Sequence, residues 1–146
     1  MPYIAHSGLG VSDLARSIRF YCEALGFERL RKLDMTSAQV SDFLMLDPPG
    51  DMNAVYLGMG DFQLELLKFN PGGANHVRAR RMNEAGLTHL SIAVENVAAT
   101  LAKVAALGGE ILTKLGDHAA IIRDPDGQLL EILDGAFWAE ERKRRD

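Results

Sequence analysis

The chain has 146 residues and carries 16 Lys and Arg against 20 Asp and Glu, a formal net charge of −4. Apolar residues are 47% and charged residues 25%, a composition that suits one globular domain with an ordinary core and excludes a disordered or low-complexity chain. Mild acidity offers no electrostatic attraction to nucleic acid or anionic lipid, and no apolar run reaches the roughly 20 residues of a membrane helix.

The N-terminus, Met1-Pro2-Tyr3-Ile4-Ala5-His6, lacks the basic start and apolar stretch of a secretion signal. Cys22 is the single cysteine, so an internal disulfide is impossible and a reducing, cytoplasmic setting is expected.

In chain order, a short strand around His6–Gly10 precedes a helical pattern. Leu14, Ile18, Tyr21 (or Cys22) and Leu25 recur at the spacing of one helix face, with Ser12 as the expected N-cap and Gly26 as the stop. On this pattern Cys22 reads as packing on the buried face. Strands follow near residues 27–34 and 53–58, and then at Phe62–Leu67. Between the first two, Val40, Phe43 and Leu44 sit at helical spacing within Thr36–Leu46, ahead of Asp47-Pro48-Pro49-Gly50. This inserted helix is read as a cover for a sheet edge or as a lid over a pocket.

A linker over about 70–86 opens with Pro71-Gly72-Gly73, and His76 to Glu84 is read as a further short helix. The second half then repeats the first. His6-Ser7-Gly8-Leu9-Gly10-Val11-Ser12-Asp13 lies on His89-Leu90-Ser91-Ile92-Ala93-Val94-Glu95-Asn96 without a gap, and Gly26 falls on Gly109. Asn96 caps a helix with Val97, Leu101 and Val104 as its stripe, ended by Gly108-Gly109. Strands are expected near 110–114 and 119–123, a turn at Asp124-Pro125-Asp126-Gly127, and a last strand at Gln128–Leu133.

The expected fold is α+β: two tandem βαβββ modules (about 3–69 and 87–134) in one domain spanning 1–146. Residues 135–146 form a charged tail, with Phe137 and Trp138 as its anchors to the body or to a second subunit.

Four polar residues stand out against this pattern. Each copy places one His at its first strand (His6, His89) and one Glu in the middle of its apolar last strand (Glu65, Glu131). Period-two alternation puts His6 on a face with Gly8 and Gly10, and His89 with Ser91 and Ala93, so small neighbours leave room beside each ring. A lone histidine of this kind is ordinarily a hydrogen-bonded core or edge residue. A glutamate in a Leu-rich strand is more anomalous, because burying an unpaired charge is costly. Four such residues at equivalent positions make a plausible N2O2 site for a divalent transition metal.

These residues resemble the vicinal oxygen chelate superfamily, also called the glyoxalase/bleomycin resistance/dioxygenase superfamily. The resemblance spans essentially residues 3–134. It is carried by His6 with Val11-Ser12-Asp13-Leu14…Phe20-Tyr21…Leu25-Gly26-Phe27, by Leu64-Glu65-Leu66, by His89…Val94 and by Asp124-Pro125-Asp126-Gly127…Glu131. It implies a cupped mixed sheet around a metal held by His6, Glu65, His89 and Glu131, and a homodimer.

A carboxylate at position 65 places the chain nearer the glyoxalase I and methylmalonyl-CoA epimerase branch than the extradiol dioxygenases. That branch implies an isomerase or lyase that abstracts a proton next to a carbonyl and stabilises an enediolate at the metal. Glu131 or Glu65 would be the base, and the substrate a small carbonyl or acyl compound. The alternatives are an Fe(II) dioxygenase and a metal-free binding protein of the same fold.

Ni, Co, Zn, Mn and Fe all suit the donor set. Gly10 and the Gly116–Ala120 loop depart from the glutathione-binding pattern, Ala85–His89 looks like the epimerases, and Arg78, Arg80 and Arg81 could receive a CoA ester. Weak candidates for substrate contact are Phe43, His118 and Arg123. There is no Ser-His-Asp ordering, phosphate-binding Gly loop or zinc-knuckle spacing.

Overall fold

The computed structural model describes residues 1–46, 50–70 and 79–144. The chain divides into two compact units, the first Met1–Cys22 with Gly26–Val77 and the second Glu23–Leu25 with Arg78–Asp146.

The first unit runs β1 (Ser7–Gly10), α1 (Leu14–Arg19), β2 (Glu28–Met35), α2 (Ser37–Leu44), β3 (Met52–Met59) and β4 (Phe62–Phe69). Its sheet has the order β1-β4-β3-β2, with β1 parallel to β4 and the other pairs antiparallel. The second unit runs β5 (His89–Val94), α3 (Val97–Ala106), β6 (Glu110–Leu115), β7 (Ala119–Arg123), β8 (Leu129–Asp134) and α4 (Gly135–Glu141). Its sheet, β5-β8-β7-β6, has the same pairing senses. The repeat in the sequence is therefore a repeat of topology, and each copy is a βαβββ module with α2 inserted in the first.

The modules agree in detail. The register of β2 on β3 shifts between Arg29 and Arg31, and that of β6 on β7 shifts between Ile111 and Thr113. Both are β-bulges, which add one residue to a strand and reset which side chains share a face.

Alternation sorts each sheet into a face packed on the first helix of its module, α1 or α3, and a site-bearing face. In the first unit Val55, Leu57, Leu64 and Leu66 are buried on one side, as are Phe20 and Tyr21 at the end of the first helix. Burial of each such side chain contributes about 1.5–3 kcal/mol. In the second unit Ile92, Ile122, Leu130 and Ile132 share their core with Val97, Leu101 and Val104 of α3.

Several local expectations change. Asp13, not Ser12, caps α1: its extended backbone lets the carboxylate accept the Arg16 N–H at 3.0 Å, while Ser12 accepts from the Arg16 guanidinium. Beyond Arg19 the helix widens to π geometry over Phe20–Ala24 and stops at Gly26, whose φ of +83° favours glycine. Phe20 and Tyr21 are fully buried within it, and Cys22 is half-buried.

Asn96 caps α3 as expected, accepting the Ala99 N–H. Thr36 and Gln39 close a capping box on α2. Val40 packs α2 onto Met52 and Ala54, with Leu67 and Phe69 alongside. Ala54 faces Leu67 and Tyr56 faces Glu65 in the register, so α2 packs on the site-bearing face, at its β2 edge through Met35.

The expected helix over His76–Glu84 lies partly outside the described residues. From residue 79 onward the backbone is a turn, closed by the Glu84 N–H on the Arg81 carbonyl. The Asp47-Pro48-Pro49 and Pro71-Gly72-Gly73 segments and Arg78 also lie outside the described residues. In α4, Phe137 stacks on His118 with ring centroids 5.1 Å apart, and both Phe137 and Trp138 remain exposed. No described helix is long and apolar enough to cross a membrane.

Candidate metal and substrate site

In the first unit, parallel pairing of β1 with β4 sets Gly8 opposite Glu65, and His6 stands two residues earlier on the same side. Its Nε2 lies 3.2 Å from Glu65 Oε2. Gly8 keeps this approach open: a Cβ there would come within 3.2 Å of Leu67 Cδ1 and 4.0 Å of Glu65 Oε2. Glu65 is 6% exposed, a carboxylate deep in an apolar strand.

Antiparallel pairing of β3 places Tyr56 beside Glu65 on the opposite flank from Gly8. Its ring meets the His6 ring edge-on at 5.3 Å, and the Arg31 guanidinium lies 3.4 Å from its centroid. Burial raises the Tyr56 pKa above its ordinary value. The hydrogen bond to Glu65 and the charge of that carboxylate reinforce the rise, and Arg31 opposes it.

The second unit repeats the arrangement. Ser91 pairs with Glu131 as Gly8 pairs with Glu65, and His89 Nε2 lies 3.7 Å from Glu131 Oε2. The Ser91 hydroxyl donates to Glu131. Thr88 Oγ1 lies 2.8 Å from His89 Nδ1. This contact holds the imidazole by Nδ1 and leaves Nε2 facing the carboxylate, the way an outer partner orients a metal-binding imidazole.

The structure thus brings His6 to Glu65 and His89 to Glu131. Among the described residues no group of three or more His, Cys, Asp or Glu side chains gathers around one point. The His6–Glu65 spacing fits two adjacent ligands of a divalent ion. Metal–N and metal–O bonds of about 2.0–2.2 Å at octahedral or tetrahedral angles separate neighbouring ligand atoms by about 3.0–3.5 Å. The 3.2 Å pair falls in that range and the 3.7 Å pair lies just beyond it. Unpaired, Glu65 would be a costly buried charge, and a cation beside it removes that penalty.

The weak substrate-contact candidates stand apart in character. Arg123 is engaged, with Nη1 3.1 Å from Glu110 and Nη2 donating to the Arg80 carbonyl, so its guanidinium holds a sheet edge together. His118 is stacked on Phe137. Phe43 is 77% exposed on α2. Tyr56 and Arg31 escaped the sequence reading. A phenol in the otherwise apolar run of β3 was the available signal, but the face of Arg31 depends on the bulge.

The Glyoxalase/Bleomycin resistance protein/Dioxygenase superfamily model matches residues 3–132. The chain belongs to this superfamily. Among curated relatives it is 30% identical over 139 residues to a protein of Vibrio cholerae described as "probable lactoylglutathione lyase", covering 89% of this chain and 88% of the relative. It is also 30% identical over 146 residues to the lactoylglutathione lyase of Pseudomonas putida, covering 88% and 82%. Among solved structures, the trypanothione-dependent glyoxalase I of Leishmania major matches with a TM-score of 0.73 at 26% identity, over 98% of this chain and 94% of that one. The two mixed four-stranded sheets are the superfamily's fold, and the named relatives lie on its lyase side.

Proposed function

We propose that this superfamily member is a divalent-metal-dependent lyase or isomerase acting on a small carbonyl or acyl substrate, with His6, Glu65, His89 and Glu131 as the metal ligands. The observation that carries this reading is the duplicated pair: one imidazole and one carboxylate at 3.2 Å and again at 3.7 Å, at equivalent strand positions of both modules. Relatives described as lactoylglutathione lyases support the reaction class. Two copies of the chain forming a dimer belong to the same reading.

A bound divalent ion would supply Lewis-acid stabilisation of the negative charge that develops on the carbonyl oxygen as the adjacent C–H proton leaves. The remaining work falls to the protein. Glu131, half-buried and hydrogen-bonded by Ser91, is the assigned base: it takes the proton from the carbon next to the carbonyl and returns it to the neighbouring carbon. Glu65, buried and flanked by Tyr56, is the second carboxylate able to serve. His6 and His89 would serve as ligands through Nε2, the nitrogen that faces each carboxylate. Helix α2 packs through Val40 on the same sheet face as Glu65.

The test has two parts. Stripped protein titrated calorimetrically with Ni, Co, Zn, Mn and Fe(II) is expected to bind about one ion per chain and to lose it on His89→Ala. The loaded protein is expected to exchange the substrate C–H proton with solvent deuterium, read by NMR on the hemithioacetals of methylglyoxal with glutathione and with coenzyme A. Glu131→Gln should cut that exchange by at least a hundredfold. Unchanged exchange removes Glu131 as the base, and no uptake of any ion removes the metal reading.

A further inference from the structure

One cross-strand row of the first unit holds groups that metal binding leaves unexplained. The register Gly8–Glu65–Tyr56–Arg31 crosses all four strands on the site-bearing face. The matching row of the second unit is Ser91–Glu131–Ile121–Thr113. The fold therefore builds the same row with an aliphatic and a hydroxyl side chain, and needs neither a phenol nor a guanidinium there.

Tyr56 is 5% exposed and fixed between the His6 ring and the sheet, a rigid platform. The Arg31 guanidinium carbon lies over it, 3.4 Å from the ring centroid, and Arg31 is itself exposed and in no ion pair with a described carboxylate. Stacking uses the face of a guanidinium and leaves its N–H edge free, and that edge matches the two oxygens of a carboxylate. Held this way, Arg31 has already lost much of the rotamer freedom that binding would otherwise cost. Its strand lies two positions from β4, about 10 Å at the backbone, and its lean over Tyr56 brings the charge closer to Glu65.

We propose that Arg31, positioned by Tyr56, is the anion-recognising residue of this site, and that the substrate carries a carboxylate a few bonds from its chelating carbonyl. This rests on the metal-site reading above. A solvated strand arginine would instead trail into water and would show no preference among ligands.

The experiment compares two probes with one chelating head, succinic acid monohydroxamate and its terminal carboxamide counterpart, by calorimetry on the metal-loaded full chain. The wild type is expected to bind the carboxylate probe about tenfold more tightly, a preference that weakens as salt rises. Arg31→Gln should erase the preference while leaving metal uptake and carboxamide binding unchanged, and Arg31→Lys should keep part of it. Equal affinity for both probes in the wild type, or a preference that survives Arg31→Gln, overturns the proposal while the metal reading stands. A wild type that takes up no metal and binds neither hydroxamate removes both.

Discussion

At the scale of single residues, what sets the site apart from its surroundings is how each polar group is satisfied. Glu65 has an imidazole and a phenol for neighbours in an apolar strand, whereas Glu131 is half-buried and takes a hydroxyl hydrogen bond. The two carboxylates thus sit in different environments although their backbones are equivalent.

The same scale offers a clean titration. The Asp13 carboxyl is held below its ordinary pKa of 3.8 chiefly by the backbone N–H of Arg16, with the charges of Arg16 and Lys68 helping and burial opposing. A depressed folded pKa gives stability that is present above the unfolded value and is lost as pH falls through the folded one. The advantage of wild type over Asp13→Ala, measured as a difference in thermal midpoint, is therefore expected to be full at neutral pH and to shrink below about pH 4. A difference that stays constant down to strongly acid pH would remove the charged cap from the account.

At the scale of elements, bulges and caps decide what the strands present. The register shift before Arg31 puts Arg31 and Glu28, three residues apart, on the faces set by Tyr56 and Gly58. Plain alternation would place them on opposite sides. The repeat made His6, Glu65, His89 and Glu131 legible, because a polar residue recurring in an apolar context needs no register to be noticed. Arg31 and Tyr56 were not legible, because their juxtaposition is a cross-strand relation with an inserted residue in it.

The helix cap moved from Ser12 to Asp13 for a similarly local reason: both side chains can cap, and backbone conformation chose between them. The sequence reads the insertion α2 as a helix and leaves two places open for it, a sheet edge or a lid over a pocket. Val40, fully buried against Met52 and Ala54, fixes it to the site-bearing face. Val40→Ala is expected to cost about 2 kcal/mol in urea unfolding, by loss of buried methyl groups and the cavity they leave. A cost near zero would mean that α2 is held by its cap rather than by packing.

For the whole molecule, the decisive fact is that one topology occurs twice, β1-β4-β3-β2 and β5-β8-β7-β6, with each unit carrying half of the proposed ligands. A ligand that binds the folded state and not the unfolded chain stabilises it by mass action. Divalent ion at a hundredfold over its dissociation constant is expected to add about 2.7 kcal/mol, roughly 10 °C in thermal midpoint for a chain of this size. Chelator should reverse the gain, and His6→Ala or His89→Ala should each abolish it. A gain that survives either substitution would place the ion elsewhere.

The sequence by itself determined most of the elements, the duplication, the superfamily and the four candidate ligands, though not the turn in place of a helix before Glu84. These follow from periodicity, turn chemistry and recurrence, which are properties of residues near one another along the chain. Tertiary structure decided which groups face one another: the imidazole–carboxylate spacing, Tyr56 beside Glu65, Arg31 on the ring of Tyr56, and α2 on the site-bearing face. Those relations depend on strand register and bulges, which are set by packing between segments far apart in the chain.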